Sequence, residues 1–159
     1  MAWLYILILL LLAAGLVGAY RVLGTPSRLA ARDYNIVLAD VATTVERSAG
    51  QLREALDGEP GALEDAAAAS RKIFQTGYYQ TLRLRPTTGP DAGAAARAEL
   101  GRACEAYDWA SRMIGSESVH NPLILAAARQ LLDAGDAALK QAALELPPVL
   151  ATPAESTAL

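Results

Sequence analysis

The chain of 159 residues holds one phenylalanine, one histidine and one cysteine, and its first twenty positions carry no charge. Each scarcity excludes something. Cys104 alone cannot form an internal disulfide, which suits a reducing compartment. His120 stands alone, and no Glu-x-x-His or His-x-x-x-His pair accompanies it, so the ligand spacing of a bundle-core metal centre is missing. It reads as a surface loop residue. There is no Gly-x-Ser-x-Gly elbow, no Walker loop and no Gly-x-Gly-x-x-Gly turn, so no motif supplies a nucleophile or a phosphate cradle. The expectation is a protein that is not an enzyme and needs no cofactor. A net charge of −3, with acids and arginines intermixed, argues against a nucleic-acid partner. Aromatics make up 6 % of the chain while alanine abounds, a composition that favours helix over strand.

What is present begins with the uncharged run, which reads WLYILILLLLAAGLVGAY after Met1 and Ala2. At 1.5 Å per residue a helix of this length reaches about 30 Å, the thickness of a bilayer's hydrocarbon core. Trp3, Tyr5 and Tyr20 mark its two ends, where amphipathic rings favour the headgroup zone. Residues 1–24 are therefore expected to form a single transmembrane anchor. A cleaved signal peptide is the competing reading, with Val17-Gly18-Ala19 as its small-residue site. Against it, the apolar stretch is long for such a peptide and no basic residue precedes it. Arg21, Arg28 and Arg32 follow the run, so the basic-flank rule predicts an outward N-terminus and a C-terminal domain in the cytoplasm, at a bacterial inner membrane. Within the run, the spacings of Ala14 with Gly18 and Gly15 with Ala19 permit a homodimer through the transmembrane helix.

Residues 25–146 read as an antiparallel, up-down four-helix bundle, so the fold class is all-α. Helix and turn signals predict helices over about 26–57, 60–85, 91–114 and 121–146, with 147–159 as a disordered tail. Thr25-Pro26 is expected to start the first and Asn121-Pro122 to cap the fourth. Apolar or small residues recur in steps of three and four along each helix. The four seams are Tyr34, Leu38, Val41, Val45, Ser48, Leu52 and Ala55; Leu63, Ala67, Ser70, Phe74, Gly77, Thr81 and Leu84; Ala96, Leu100, Ala103, Tyr107, Ala110 and Ile114; and Leu125, Ala128, Leu132, Gly135, Leu139, Ala142 and Leu146. Small residues at alternate positions of the last two predict a close hairpin. The second seam, with Ser70, Gly77 and Thr81, is expected to be the loosest.

In an up-down bundle Arg83 and Arg85 return to the end that holds Arg21, Arg28 and Arg32. These five are candidate lipid-headgroup contacts. The far end collects Asp57, Glu59, Glu64, Asp65 and Glu117. Three i,i+4 pairs, Asp108 with Arg112, Arg129 with Asp133 and Asp136 with Lys140, are expected on solvated faces. Tyr79 and Trp109 fall off their seams and are the candidate partner surface, since exposed aromatics often anchor interfaces. The terminal Thr157-Ala158-Leu159 has the form of a strand-adding peptide.

A short outward N-terminus, one span and an inward helical domain together resemble the arrangement of the LemA family. The likeness is one of layout; no stretch matches a family motif, and no function follows from it. The expected function is a non-catalytic, membrane-anchored docking or scaffolding module with an unknown protein partner. The alternative is a sensor or carrier that binds a small apolar ligand or lipid between loosely packed helices.

Overall fold

A computed structural model describes residues 2–24, 26–58, 63–87, 91–116 and 121–146. The elements in order are α1 (Ala2–Gly24), β1 (Ser27–Leu29), α2 (Ala31–Asp57), α3 (Leu63–Arg83), β2 (Leu84–Pro86), α4 (Ala94–Ile114) and α5 (Pro122–Glu145). Among the described residues the fold is all-α apart from one short strand pair. Thr25, Glu59, Glu117, His120 and the tail 147–159 lie outside the described residues, as does the side chain of Arg21.

α1 is apolar on every face. Ile8 to Leu12 are consecutive, which at 100° per residue covers the whole circumference, and all five are exposed, by 46 % to 71 %. Among the described residues, no helix is long and apolar enough to cross a membrane. The transmembrane helix expected over 1–24 therefore does not stand on the described residues. It rests on the uncharged run of the full sequence, part of whose side chains lie outside them.

α2 to α5 form a helical bundle in which α2 packs on α3, α3 on α4 and, most extensively, α4 on α5. The three-and-four spacing explains it, because each seam faces the common core. Ala67, Ser70, Phe74, Gly77, Thr81 and Leu84 are all buried, as are Ala96, Leu100, Ala103, Tyr107, Ala110 and Ile114. On α2 the buried set is Tyr34, Leu38, Val45, Ser48, Ala49 and Leu52, with Val41 and Ala55 half-buried. On α5 it is Ala128, Leu132, Gly135 and Ala142; Leu125, Leu139 and Leu146 are half-buried. The rings of Phe74 and Tyr107 stack with centroids 5.1 Å apart at the centre. Asn121 caps α5 as its sequence predicts, its Oδ1 accepting the Leu123 N–H at 2.9 Å.

The helix boundaries depart from the expected ones where tertiary pairing intervenes. Helix is not continuous from residue 26: β1 pairs in parallel with β2, Ser27 against Leu84, Arg28 against Arg85 and Leu29 against Pro86, and α2 starts at Ala31. Likewise α3 stops at Arg83 rather than 85. The residue before a proline is pushed out of helical geometry, which accounts for Arg85. Leu84 is buried and the half-buried Leu29 packs on the same core, so extended backbone here sets two leucines against it. The Thr87 N–H extends the pairing by donating to the Leu29 carbonyl at 2.7 Å.

The small residues of the seams mark close approaches. A Cβ on Gly135 would lie 2.5 Å from Cε1 of Tyr107, and one on Gly77 would lie 2.9 Å from Sγ of Cys104 and 3.1 Å from Cγ2 of Val45. At this point of the second seam, expected to be the loosest, Gly77 lets α3 press against both α2 and α4. Its polar neighbours are engaged, with Ser70 Oγ donating to the Ser48 carbonyl at 3.4 Å and Thr81 Oγ1 to the Tyr78 carbonyl at 2.7 Å.

Candidate functional site

One end of the bundle gathers the strand pair, the start of α2, the end of α3 and the turn into α4. A polar latch ties them together. Tyr34 Oη donates to Oδ1 of Asp91 at 2.9 Å, and Arg97 Nη1 reaches Tyr34 Oη at 2.9 Å, Oδ2 of Asp91 at 2.5 Å and the Leu84 carbonyl at 3.1 Å. Burial, followed by the bond to Asp91, pushes the Tyr34 hydroxyl up to about 12. Tyr34 thus stays a neutral donor, and Arg97 joins the first turns of α2 and α4 to β2.

The candidate arginines converge on this end. The parallel register sets Arg28 and Arg85 directly beside each other. Arg85 Nη1 donates to the Leu84 carbonyl at 2.6 Å and to the Thr81 carbonyl at 3.4 Å, covering the C-terminus of α3. Arg83 lies in the last turn of α3, where a cation suits the helix dipole; its Nη1 donates to Tyr79 Oη at 2.9 Å and its guanidinium lies over that ring. Arg32 is exposed in the first turn of α2. The placement of the Arg21 side chain lies outside the described residues.

The two candidate aromatics do not share a patch. Tyr79 is 45 % exposed on α3 near this end, while Trp109 is 52 % exposed on α4. Trp109 borders a groove of about 690 Å³ between α4 and α5, floored by Ala106, Ala134, Ala137 and Ala138 and edged by Glu105 and Gln141. Arg112 lies over its ring at 5.4 Å and bonds Asp108 at 2.8 Å, so that expected i,i+4 pair is present. Leu123 and Leu144 on α5 are also exposed, and both fall off the α5 seam, as Tyr79 and Trp109 fall off theirs.

A second polar node crosses the bundle. Tyr107 Oη donates to Oδ1 of Asp136 at 2.6 Å, and Arg53 of α2 bonds Asp136 at 2.5 Å and Asp133 at 3.0 Å. Arg129 meets Asp57 at 3.7 Å. The pairs expected between Arg129 and Asp133 and between Asp136 and Lys140 are replaced by these contacts, because the acidic stripe of α5 faces α2. Helical periodicity gives no hint of partners on another helix. Burial, reinforced by Asp136, raises the pKa of Tyr107 far above its ordinary value. Burial pushes the Cys104 thiol up to about 12, which leaves it an unreactive core residue at neutral pH.

A smaller groove of about 310 Å³ runs between α2 and α3, lined by Val41, Thr44, Ile73 and Gly77 with Asp40 and Lys72 at its rim. Among the described residues, no three His, Cys, Asp or Glu side chains converge as a metal site would require. Comparison with known proteins adds no identity: no family model, no curated protein and no solved structure matches the chain.

Proposed function

We propose that this chain is a non-catalytic, membrane-anchored helical docking module, held by α1 and presenting the bundle of α2 to α5 to a protein partner. The observation that carries the reading is the exposure of consecutive large apolar side chains around α1 beside a bundle whose own seams are buried. An amphipathic helix hides its apolar stripe against a core. A helix apolar all round requires an apolar surrounding, and a bilayer supplies one for the full uncharged run. The basic flank is what supports reading the bundle as lying in the cytoplasm of a bacterial cell, beneath the inner membrane. There the up-down arrangement directs the end bearing Arg28 and Arg85 toward the bilayer, while Trp109 and its alanine-floored groove remain open along the side.

The test is affinity purification of the full chain from detergent-solubilised membranes, alongside Trp109→Ala and Tyr79→Ala. Each variant is expected to fractionate with membranes and melt as the parent does, since neither ring fills the core. Trp109→Ala is expected to weaken partner capture by about 1 kcal/mol or more. A fall in stability without a specific loss of binding would remove these rings from the docking surface.

The carrier reading has one supporting observation, the groove beside Gly77 between α2 and α3. Gly77 packs closely on Cys104 and Val45, so a ligand in this groove would lie against the bundle's surface rather than between those side chains. Native mass spectrometry of the detergent-purified chain separates the two readings, by a retained small molecule or a retained protein.

A further inference from the structure

The strand pair sets like charges together. Arg28 and Arg85 are register partners, and partners in a parallel ladder project to the same face of the sheet. Like charges placed side by side on neighbouring strands oppose pairing. Asp91, the carboxylate tied into this end of the bundle, is already engaged by Arg97 and by the Tyr34 hydroxyl. The Leu84 and Thr81 carbonyls fix the direction of the Arg85 guanidinium, while Arg28 is exposed beside it. Such a pair suits an anion with several acceptor oxygens, and a phosphate bridged by two guanidiniums is the recurrent case. The source is set by position, because β1 begins at Ser27, just beyond the end of α1 at Gly24.

We propose that the Arg28–Arg85 strand pair binds the phosphate of an anionic lipid headgroup and that this binding closes the pair. The inference rests on α1 being the membrane anchor and deepens that reading by naming the ligand of the membrane-facing end. One headgroup phosphate carries a single negative charge, so bridging the two guanidiniums halves their net charge and weakens the repulsion between the strands. The chain leaving the bilayer is then fixed to the end of α3, and through Leu84 and Arg97 to α4. On a neutral surface the same strands pair more weakly. Headgroup charge thereby sets how rigidly the bundle is held on its anchor.

The Thr87 amide reports closure, since its hydrogen bond to the Leu29 carbonyl exists only when the strands pair. The full chain is reconstituted in nanodiscs of phosphatidylcholine, or of phosphatidylcholine with phosphatidylglycerol, and hydrogen exchange is followed at Thr87. Exchange is expected to slow at least three-fold in the anionic discs. Arg28→Gln, which leaves the Arg85 bonds to α3 in place, is expected to abolish the difference. Arg47→Gln, an equal charge change on the exposed face of α2, is expected to retain it. Equal exchange in both discs overturns the proposal, and so does a lipid effect that survives Arg28→Gln or is lost equally with Arg47→Gln. Inorganic phosphate is added to the neutral discs as a further arm. If it slows exchange as much as the anionic lipid does, a free anion is the ligand and the lipid assignment is overturned. Failure of the chain to float with neutral vesicles would overturn the anchor, and this proposal with it. Flotation without lipid-dependent protection would overturn the proposal alone.

Discussion

Adding one methyl group at Gly135 should cost stability, whereas the same change at Gly50 should add to it. Both glycines lie inside long helices, so replacement by alanine contributes the same gain in helix propensity, about 1 kcal/mol. The surroundings differ. A Cβ on Gly50 meets nothing within 4 Å, while one on Gly135 would stand 2.5, 2.7 and 2.8 Å from three ring carbons of Tyr107. That ring cannot slide away cheaply: it is fully buried, stacked on Phe74, and held at its hydroxyl by Asp136 at 2.6 Å. Overpacking of a filled core costs about 1–3 kcal/mol, so Gly135→Ala is neutral to about 2 kcal/mol destabilising while Gly50→Ala gains about 1 kcal/mol. The difference between the two variants isolates the packing penalty, because the propensity contributions cancel. At about 4 °C per kcal/mol for a domain of this size, their Tm values should differ by roughly 4–12 °C. Thermal melts by circular dichroism measure this directly. In a Tyr107→Leu background the penalty at Gly135 should largely vanish, as expected for contacting residues in a double-mutant cycle. Equal rises in Tm for Gly135→Ala and Gly50→Ala would refute the close approach of α4 and α5.

Two further outcomes follow from the charges. Tyr34 has its folded-state pKa raised to about 12 from an ordinary 10, so its contribution to stability is complete below pH 10 and is lost as pH rises from 10 through 12. A spectroscopic titration should show tyrosinate at Tyr34 appearing together with loss of structure, and Tyr34→Phe should remove that component; titration near 10 with the fold intact would contradict the burial argument. For topology, a cysteine at exposed Gln51 should resist membrane-impermeant thiol reagents in intact cells and react after lysis, with buried Cys104 silent in both; labelling from the outer side would reverse the proposed orientation.

Most of the helical framework was legible in the residue order, because helices are local. A spacing of three and four fixes which side of each helix is apolar, and every seam position from Ala67 to Leu84 and from Ala96 to Ile114 is buried as that spacing requires, with Leu63 half-buried. Proline, glycine and the Asn121 cap act within a turn of themselves, so most helix ends were readable to within a few residues. The exposure of Tyr79 and Trp109 followed from the same periodicity, since both fall off the seams.

The tertiary structure decided what depends on partners distant in the chain. Pro26 alone predicts the start of a helix, yet Ser27–Leu29 is extended because Leu84–Pro86 lies ready to pair with it and both segments pack a leucine on the core. Tyr34 and Tyr107 were readable as core rings, but nothing in the sequence named Asp91, Arg97 or Asp136 as the groups their hydroxyls would meet. Arg28 and Arg85 could be assigned to one end from the alternation of helix direction. Only strand register, which depends on the packing of α2 against α3, made them neighbours. The seams chose the helices and their inner faces. Hydrogen bonds across tens of residues then chose how the helix ends were tied together.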